Sequence, residues 1–307
     1  MLSVPRLRML REVAARGTLA AAAEALFMTP SAVSQQMAVL EREAGTPLLE
    51  RRGRGVRLTE AGQKLVADTE RILAAIEQAE ADLVASARGV VGHVRVSAFP
   101  TAARALLIPA LRTVRQEYPN LRVSTLDLEP EEALPALKAK DLDVVATYEW
   151  GLLPVLSDAG IEREKLFTEP VYLALPSSHR LAGNGPVSLS ELVDEEWIVG
   201  HDATLMLDLV VAATRREGYV PRTDFHSMDF QVILAAVGAG LGVALVPPLA
   251  LIGNYPDVSI TTVADLELNR TIWSNIRRGS GGNPGIAVLL DALRARAALL
   301  EAQLPDS

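Results

Sequence analysis

The sequence predicts a mixed α/β protein in three parts: a helical head closed by a short β-hairpin, one long linker helix, and a body of two α/β subdomains. Three observations lead there. Arginines gather in the first 58 positions, around two short helices and a glycine turn. A seven-residue repeat then runs from Leu65 to Leu83. Beyond Gly92, strand-like and helix-like runs alternate, the pattern of parallel pairing with right-handed crossovers.

The head begins with a helix over Ser3 to Arg16, carrying Pro5 near its start and Leu7, Leu10 and Val13 on one stripe. Gly17 ends it and Thr18 caps the next, in which Leu19, Ala22, Ala23 and Leu26 recur at helical spacing. A turn at Phe27 to Thr29 leads into a third helix. Thr29 can cap its free amides, and Pro30 suits its first position because no hydrogen bond is lost there. Val33, Met37 and Leu40 share the buried face, which leaves Ser31, Ser34, Gln35, Ala38 and Arg42 on the outer one. That outer stripe is short and rich in hydrogen-bonding groups. Such an edge can enter a major groove, where hydroxyl and amide groups meet base edges. The stretch from Leu48 to Leu58 reads as two strands around a turn bearing Arg51, Arg52, Arg54 and Arg57. This is a wing beside a helix-turn-helix, suited to phosphate or minor-groove contact.

The run from Arg16-Gly17-Thr18 through Ala22-Ala23, Leu26, Thr29-Pro30-Ser31-Ala32-Val33-Ser34, Leu40-Glu41, Pro47-Leu48 and Arg51 to Leu58-Thr59-Glu60-Ala61-Gly62 resembles the N-terminal domain of LysR-type transcriptional regulators. Leu10 and Leu49 stand where that family often has phenylalanine, and Ala44 where leucine is usual. The resemblance extends over nearly the whole chain. It implies a winged helix-turn-helix DNA-binding domain at 1–58, a linker and dimerisation helix at 59–88, and an effector-binding domain at 89–307. The last would consist of two periplasmic-binding-protein-like lobes, one over 91–160 and 266–307, the other over 161–265.

Charge is segregated in the way that organisation requires. Residues 1–58 hold nine arginines and no lysine against five glutamates, a surplus of four positive charges; with a net charge of -8, the remainder carries -12. A basic head on an acidic body fits duplex DNA as partner. The 49% hydrophobic and 22% charged composition is ordinary for globular proteins. No cysteine is present, which excludes disulfides, thiolate metal sites and cysteine nucleophiles. No membrane span or secretion signal is evident, so a cytoplasmic protein without membrane contact is expected.

After the wing, Thr59 caps a helix expected to reach about Ala87. Leu65, Thr69, Ile72, Ile76, Ala79 and Leu83 form its seam, which a single projecting helix cannot bury. The same helix of a second subunit is the simplest partner, giving a homodimer or, with further contacts, a homotetramer. Residues 94–99, 121–128 and 144–146 read as strands. A helix ending at Glu117 follows the first, with Pro109 expected to delay or bend it. Another helix spans 131–139. Leu152 to Glu164 has little periodicity and is expected to carry the chain to the second lobe. There, strands at 171–175, 197–199, near Phe225 and at 243–246 alternate with helices opened by a capping box at Ser188 to Glu191, then at Leu205 and at Phe230, the last capped by Asp229. A strand at 272–276 and a helix from Pro284 close the chain, and the resemblance implies that they return to the first lobe.

In open α/β sheets, ligands bind beyond the C-terminal ends of the strands. An effector held between the lobes would therefore meet Phe99, Pro100, Thr101, Thr147, His201, Thr204, Phe230 and Gln231. On the DNA side Thr29, Pro30, Ser31, Ser34, Gln35, Arg42, Arg51, Arg52 and Arg54 are the candidates, and RNA polymerase is a further partner if the protein activates transcription. Two alternatives share the body: a solute-binding protein, which would have no use for the head, and an α/β enzyme. The sequence has no Gly-x-Ser-x-Gly elbow, Walker loop or His-Glu-x-x-His pair, and its four histidines lack metal-ligand spacing, so no catalytic residue, metal or cofactor is expected. Gly238 to Gly242 lies after a helix and before a strand, the wrong order for a phosphate loop.

Overall fold

Three helices start the chain: α1 (Val4–Arg16), α2 (Leu19–Ala25) and α3 (Pro30–Ala44), stopped after α1 and α3 by Gly17 and Gly45 in the left-handed region. The computed structural model describes residues 1–52, 55–85, 89–154, 158–201, 204–264 and 266–304. Thr18 and Thr29 cap α2 and α3 as their positions predict, accepting from Ala21 N and Ala32 N. Leu7, Leu10 and Val13 meet Ala22, Ala23, Val33, Met37 and Leu40 in one buried cluster. The wing follows as β1 (Leu49–Arg52) antiparallel to β2 (Gly55–Leu58). Next comes α4 (Glu60–Ala85), whose Thr59 accepts from Gly62 N and donates to Pro47 O. Leu65, Val66 and Ile72 of α4 pack on the head core, so the first half of the predicted seam serves the head. Ala79 and Leu83, at its other end, are exposed.

Two compact units result, 1–83 with 278–280 and 84–277 with 281–307. Within the second, a mixed sheet holds β4 (Leu121–Asp127), β3 (Gly92–Ala98), β5 (Val144–Trp150), β12 (Asn269–Arg277) and β6 (Ile161–Pro170) in that order. β3 pairs parallel with β4 and β5, while β12 runs antiparallel to β5 and β6. Both predicted returns therefore occur: β12 enters this sheet, and α10 (Pro284–Glu301) packs against α6 (Ile108–Glu117) and β6.

The second lobe pairs β7 (Tyr172–Pro176) with β10 (Ala244–Val246) and β11 (Val258–Thr261), and β8 (Glu196–Val199) with β9 (Arg222–His226). A parallel bridge from Trp197 to Val243 joins these pairs into one layer. Helices α8 (Leu205–Arg216) and α9 (Phe230–Gly238) cover it.

One expectation changes. The segment 152–164 is not wholly a crossing: Ile161–Pro170 is a strand of the first lobe's sheet, so the chain crosses at Val171 instead of 161. Its charged face hid it, since Glu162, Lys165 and Glu164 interrupt the apolar alternation that marks a strand. Pro109, expected to make its helix start late or bend, stands in the first turn of α6 directly after a π turn, so the helical path is perturbed there but not interrupted. The helical path runs from α5 (Pro100–Ala102) through one π turn, Ala103–Leu107, into α6. A proline cannot bond the carbonyl four residues back, here that of Ala105. Arg296 of α10 supplies the missing donor, its Nε lying 2.9 Å from Ala105 O.

Candidate DNA interface and effector cavity

On the head, α3 divides as its periodicity requires. Val33, Met37 and Leu40 are buried, while Thr29, Pro30, Ser31, Ser34, Gln35, Ala38 and Arg42 are exposed. The outer edge therefore carries two serine hydroxyls and an amide over two turns, with a cation near the C-terminal end. A bidentate ion pair from Arg6 to Glu43, 2.5 and 3.1 Å, ties α1 to α3 from the other side. Glu41 does something the sequence did not reveal: its Oε1 accepts from Leu48 N and Leu49 N at 2.9 and 3.1 Å, anchoring the entry of the wing to α3. Val56 N donates to Gly17 O at 3.1 Å, fixing β2 to the turn after α1. Arg51 and Arg52 lie on the backbone of β1, and Arg54 lies outside the described residues. Phe27, at the turn before α3, takes a left-handed backbone (φ 52°) and is fully exposed.

In the second unit, a cavity of about 160 Å³ opens between the two lobes. From the first lobe come Phe99, Pro100, Thr101, Arg104, Glu129, Tyr148, Trp150 and Arg270; from the second, Met206, Met228, Asp229, Phe230 and Gln231. Five predicted residues thus meet in one place: Phe99, Pro100, Thr101, Phe230 and Gln231. Three do not line it. Thr147 is buried on the opposite face of β5, where Asn275 Nδ2 donates to its hydroxyl at 2.8 Å and a separate cavity begins. Thr204 caps α8 and donates to His201 O at 2.7 Å, and His201 is exposed. Strand parity explains the first miss, since Tyr148 and Trp150 share one face of β5 and Thr147 points to the other.

Beneath the cavity lies a buried ion pair, whose Arg270 lines it. Arg270 Nη2 and Nε lie 2.5 and 2.8 Å from Glu169 Oε1, with exposures of 1% and 0% for the two side chains. Arg270 also donates to Thr101 Oγ1 at 3.2 Å, and its guanidinium sits 5.1 to 5.3 Å from the rings of Phe99, Tyr148 and Trp150. Those rings pack edge to face, Phe99 to Tyr148 at 4.7 Å and Tyr148 to Trp150 at 5.3 Å. Glu169 Oε2 accepts from Leu249 N at 3.1 Å, and Arg104 donates to Leu249 O at 3.2 Å, so both lobes are held through these contacts.

Glu129 accepts the Tyr148 hydroxyl at 3.0 Å. Burial pushes its carboxyl up to about 6, reinforced by Glu131 and Asp127 and opposed by the Tyr148 hydrogen bond and by Arg270. Burial and the neighbouring Glu129 carboxylate hold Tyr148 well above the ordinary tyrosine range, which keeps its proton on the donor side. The indole N–H of Trp150 is buried with no partner among the described residues.

Two family descriptions match this chain: a LysR substrate binding domain over residues 87–298, and a bacterial regulatory helix-turn-helix protein of the lysR family over residues 5–63. The chain belongs to the LysR family of transcriptional regulators. Its relatives include the probable transcriptional regulator LrrA of Synechococcus elongatus, 28% identical over 96% of this chain and 98% of that protein. BudR of Raoultella terrigena is 30% identical over 84% and 89%. Among solved structures, the Corynebacterium glutamicum OxyR C206 mutant shares the fold with a TM-score of 0.60 at 25% identity, covering 100% of this chain and 96% of its own. CbnR in complex with its target DNA gives a TM-score of 0.54 at 26% identity, covering 96% and 100%. This LysR-family regulator is thus a DNA-binding transcriptional regulator with an effector-binding domain after its helix-turn-helix head. Among the described residues no helix is long and apolar enough to cross a membrane, and no cluster of metal-ligating side chains is found.

Proposed function

We propose that the regulator reads its operator with the outer edge of α3, Ser31, Ser34 and Gln35 meeting base edges while Thr29 and Pro30 set the helix start. Arg42, together with Arg51, Arg52 and Arg54 of the wing, contacts phosphates or the minor groove. The observation that carries this reading is the clean partition of α3, polar and exposed on one side and locked into the head core on the other. Two heads, joined through the exposed end of the α4 seam in a homodimer or homotetramer, would meet two half-sites on one face of the duplex. A small organic effector in the cavity between the lobes controls the spacing of the heads. The aromatic walls, with a few polar groups set among them, support a ligand there. Without cysteine, the signal is not thiol oxidation. The protein acts in the cytoplasm, and touches RNA polymerase where it activates.

A binding titration at several salt concentrations tests the division of labour. Gln35→Ala should relax preference at particular base pairs, by about 1–3 kcal/mol, with the salt slope unchanged. Arg42→Ala should weaken all sequences alike and lower the slope by about one. The opposite assignment would overturn these roles.

A further inference from the structure

The charged side chains lining the effector cavity, Arg104, Glu129, Asp229 and Arg270, sum to zero, and the ligand class follows from which of them are already engaged. Arg270 faces the cavity already neutralised by Glu169 at 2.5 Å. Arg104, exposed at the rim, is turned toward Leu249 O. The helix N-termini of the second lobe, which would otherwise greet an anion, hold carboxylates of this chain. Asp229 accepts from Gln231 N at 2.8 Å on α9, and Glu131 accepts from Leu205 N at 3.3 Å on α8. Glu129 stands apart. Among the described residues it forms no ion pair, and its hydrogen-bond partner is the neutral Tyr148 hydroxyl at 3.0 Å. Asp127 on β4 and Glu131 on α7 (Pro130–Ala139) add negative charge around it, against Arg270 on β12. A carboxylate ligand would thus meet like charge at Glu129 and find the helix ends of the second lobe occupied.

We propose that the cavity binds a compact organic ammonium, its cationic nitrogen on the Glu129 carboxylate and its apolar body against Phe99, Trp150 and Phe230. The proposal rests on reading this cavity as the effector site. A volume of about 160 Å³ holds one ring or its equivalent. The elevated Glu129 carboxyl fits the assignment, because a bound cation restores the charge that burial discourages.

Titration calorimetry on the full chain at pH 7.5, with benzylamine, benzyl alcohol and benzoate as probes, decides the matter. They share one ring and differ in charge. Benzylamine should bind at least about tenfold tighter than benzyl alcohol, as a charge-assisted hydrogen bond requires, and benzoate should bind weakest. Glu129→Gln should bring benzylamine down to the level of benzyl alcohol while the alcohol is unaffected, with an unchanged circular-dichroism spectrum showing that the variant folds. Tighter binding of benzoate than benzylamine, or an amine affinity indifferent to Glu129→Gln, would overturn the ammonium assignment and leave the effector cavity standing. If none of the three probes bound, the assignment and the reading of the cavity as an effector site would fall together.

Discussion

Replacing Arg270 by methionine should cost the second unit about 3–5 kcal/mol, because it strands the Glu169 carboxylate in a site with 0% exposure. Methionine keeps much of the apolar contact with Phe99, Tyr148 and Trp150, so the loss is chiefly electrostatic. Thr101 forfeits one hydrogen bond as well, about 1 kcal/mol. The assay is convenient, since all three tryptophans, Trp150, Trp197 and Trp273, lie in the second unit. Their fluorescence in a urea titration follows that unit alone, which matters in a chain of two units that need not unfold together. The pair should be retested as Arg270→Met with Glu169→Gln. A glutamine oxygen can still accept from Leu249 N while carrying no charge, so the double variant should recover most of the loss. A single variant within about 1 kcal/mol of the wild type would refute the claim that this is a buried, matched ion pair. So would a double variant no better than the single one.

Two other perturbations follow from the same geometry. Gly62 of α4 lies where an added Cβ would come within 2.2 Å of the Leu48 carbonyl oxygen, so Gly62→Ala should destabilise the head by about 1–3 kcal/mol. Circular dichroism should show a lower first transition with the tryptophan-monitored unit unchanged; coincident, unshifted transitions would contradict it. For Glu129, a folded-state carboxyl raised from 4.5 to about 6 means that the folded protein binds this proton more tightly than the unfolded one. That contribution is present below pH 4.5 and is lost as pH rises through about 6, a span of about 2 kcal/mol. Glu129→Gln should accordingly be more stable than the ligand-free wild type at pH 8 and equal to it near pH 4.5; a constant gap across that range would be the contrary result.

The head was legible because its signals are local. Caps at Thr18, Thr29 and Thr59, the stop at Gly17, and the spacing of Val33, Met37 and Leu40 are each decided within a turn or two of helix. The body's alternation was legible for the same reason, down to Asp229 capping α9. What escaped depends on partners far along the chain. β6 is held by β12, more than a hundred residues on, and its charged residues disguise it. The π turn before Pro109 is satisfied by Arg296. In the cavity, Phe99, Thr101 and Phe230 followed from the rule that ligands lie past strand ends, whereas Arg270 and Glu169 look like ordinary charges until β12 and β6 bring them together. The run Leu268 to Ile276 mixes four apolar residues with five polar ones, so nothing in it marked Arg270 as buried.

Selection of bound duplexes from a randomised DNA pool tests most directly the claim that the exposed edge of α3 reads sequence. The wild-type protein should enrich a two-fold related pair of half-sites spaced by whole helical turns, and Ser34→Ala with Gln35→Ala should erase the preference at specific positions within each half-site. A pool whose composition is unchanged by the folded wild-type protein, or a motif identical for the wild type and the double variant, would contradict it.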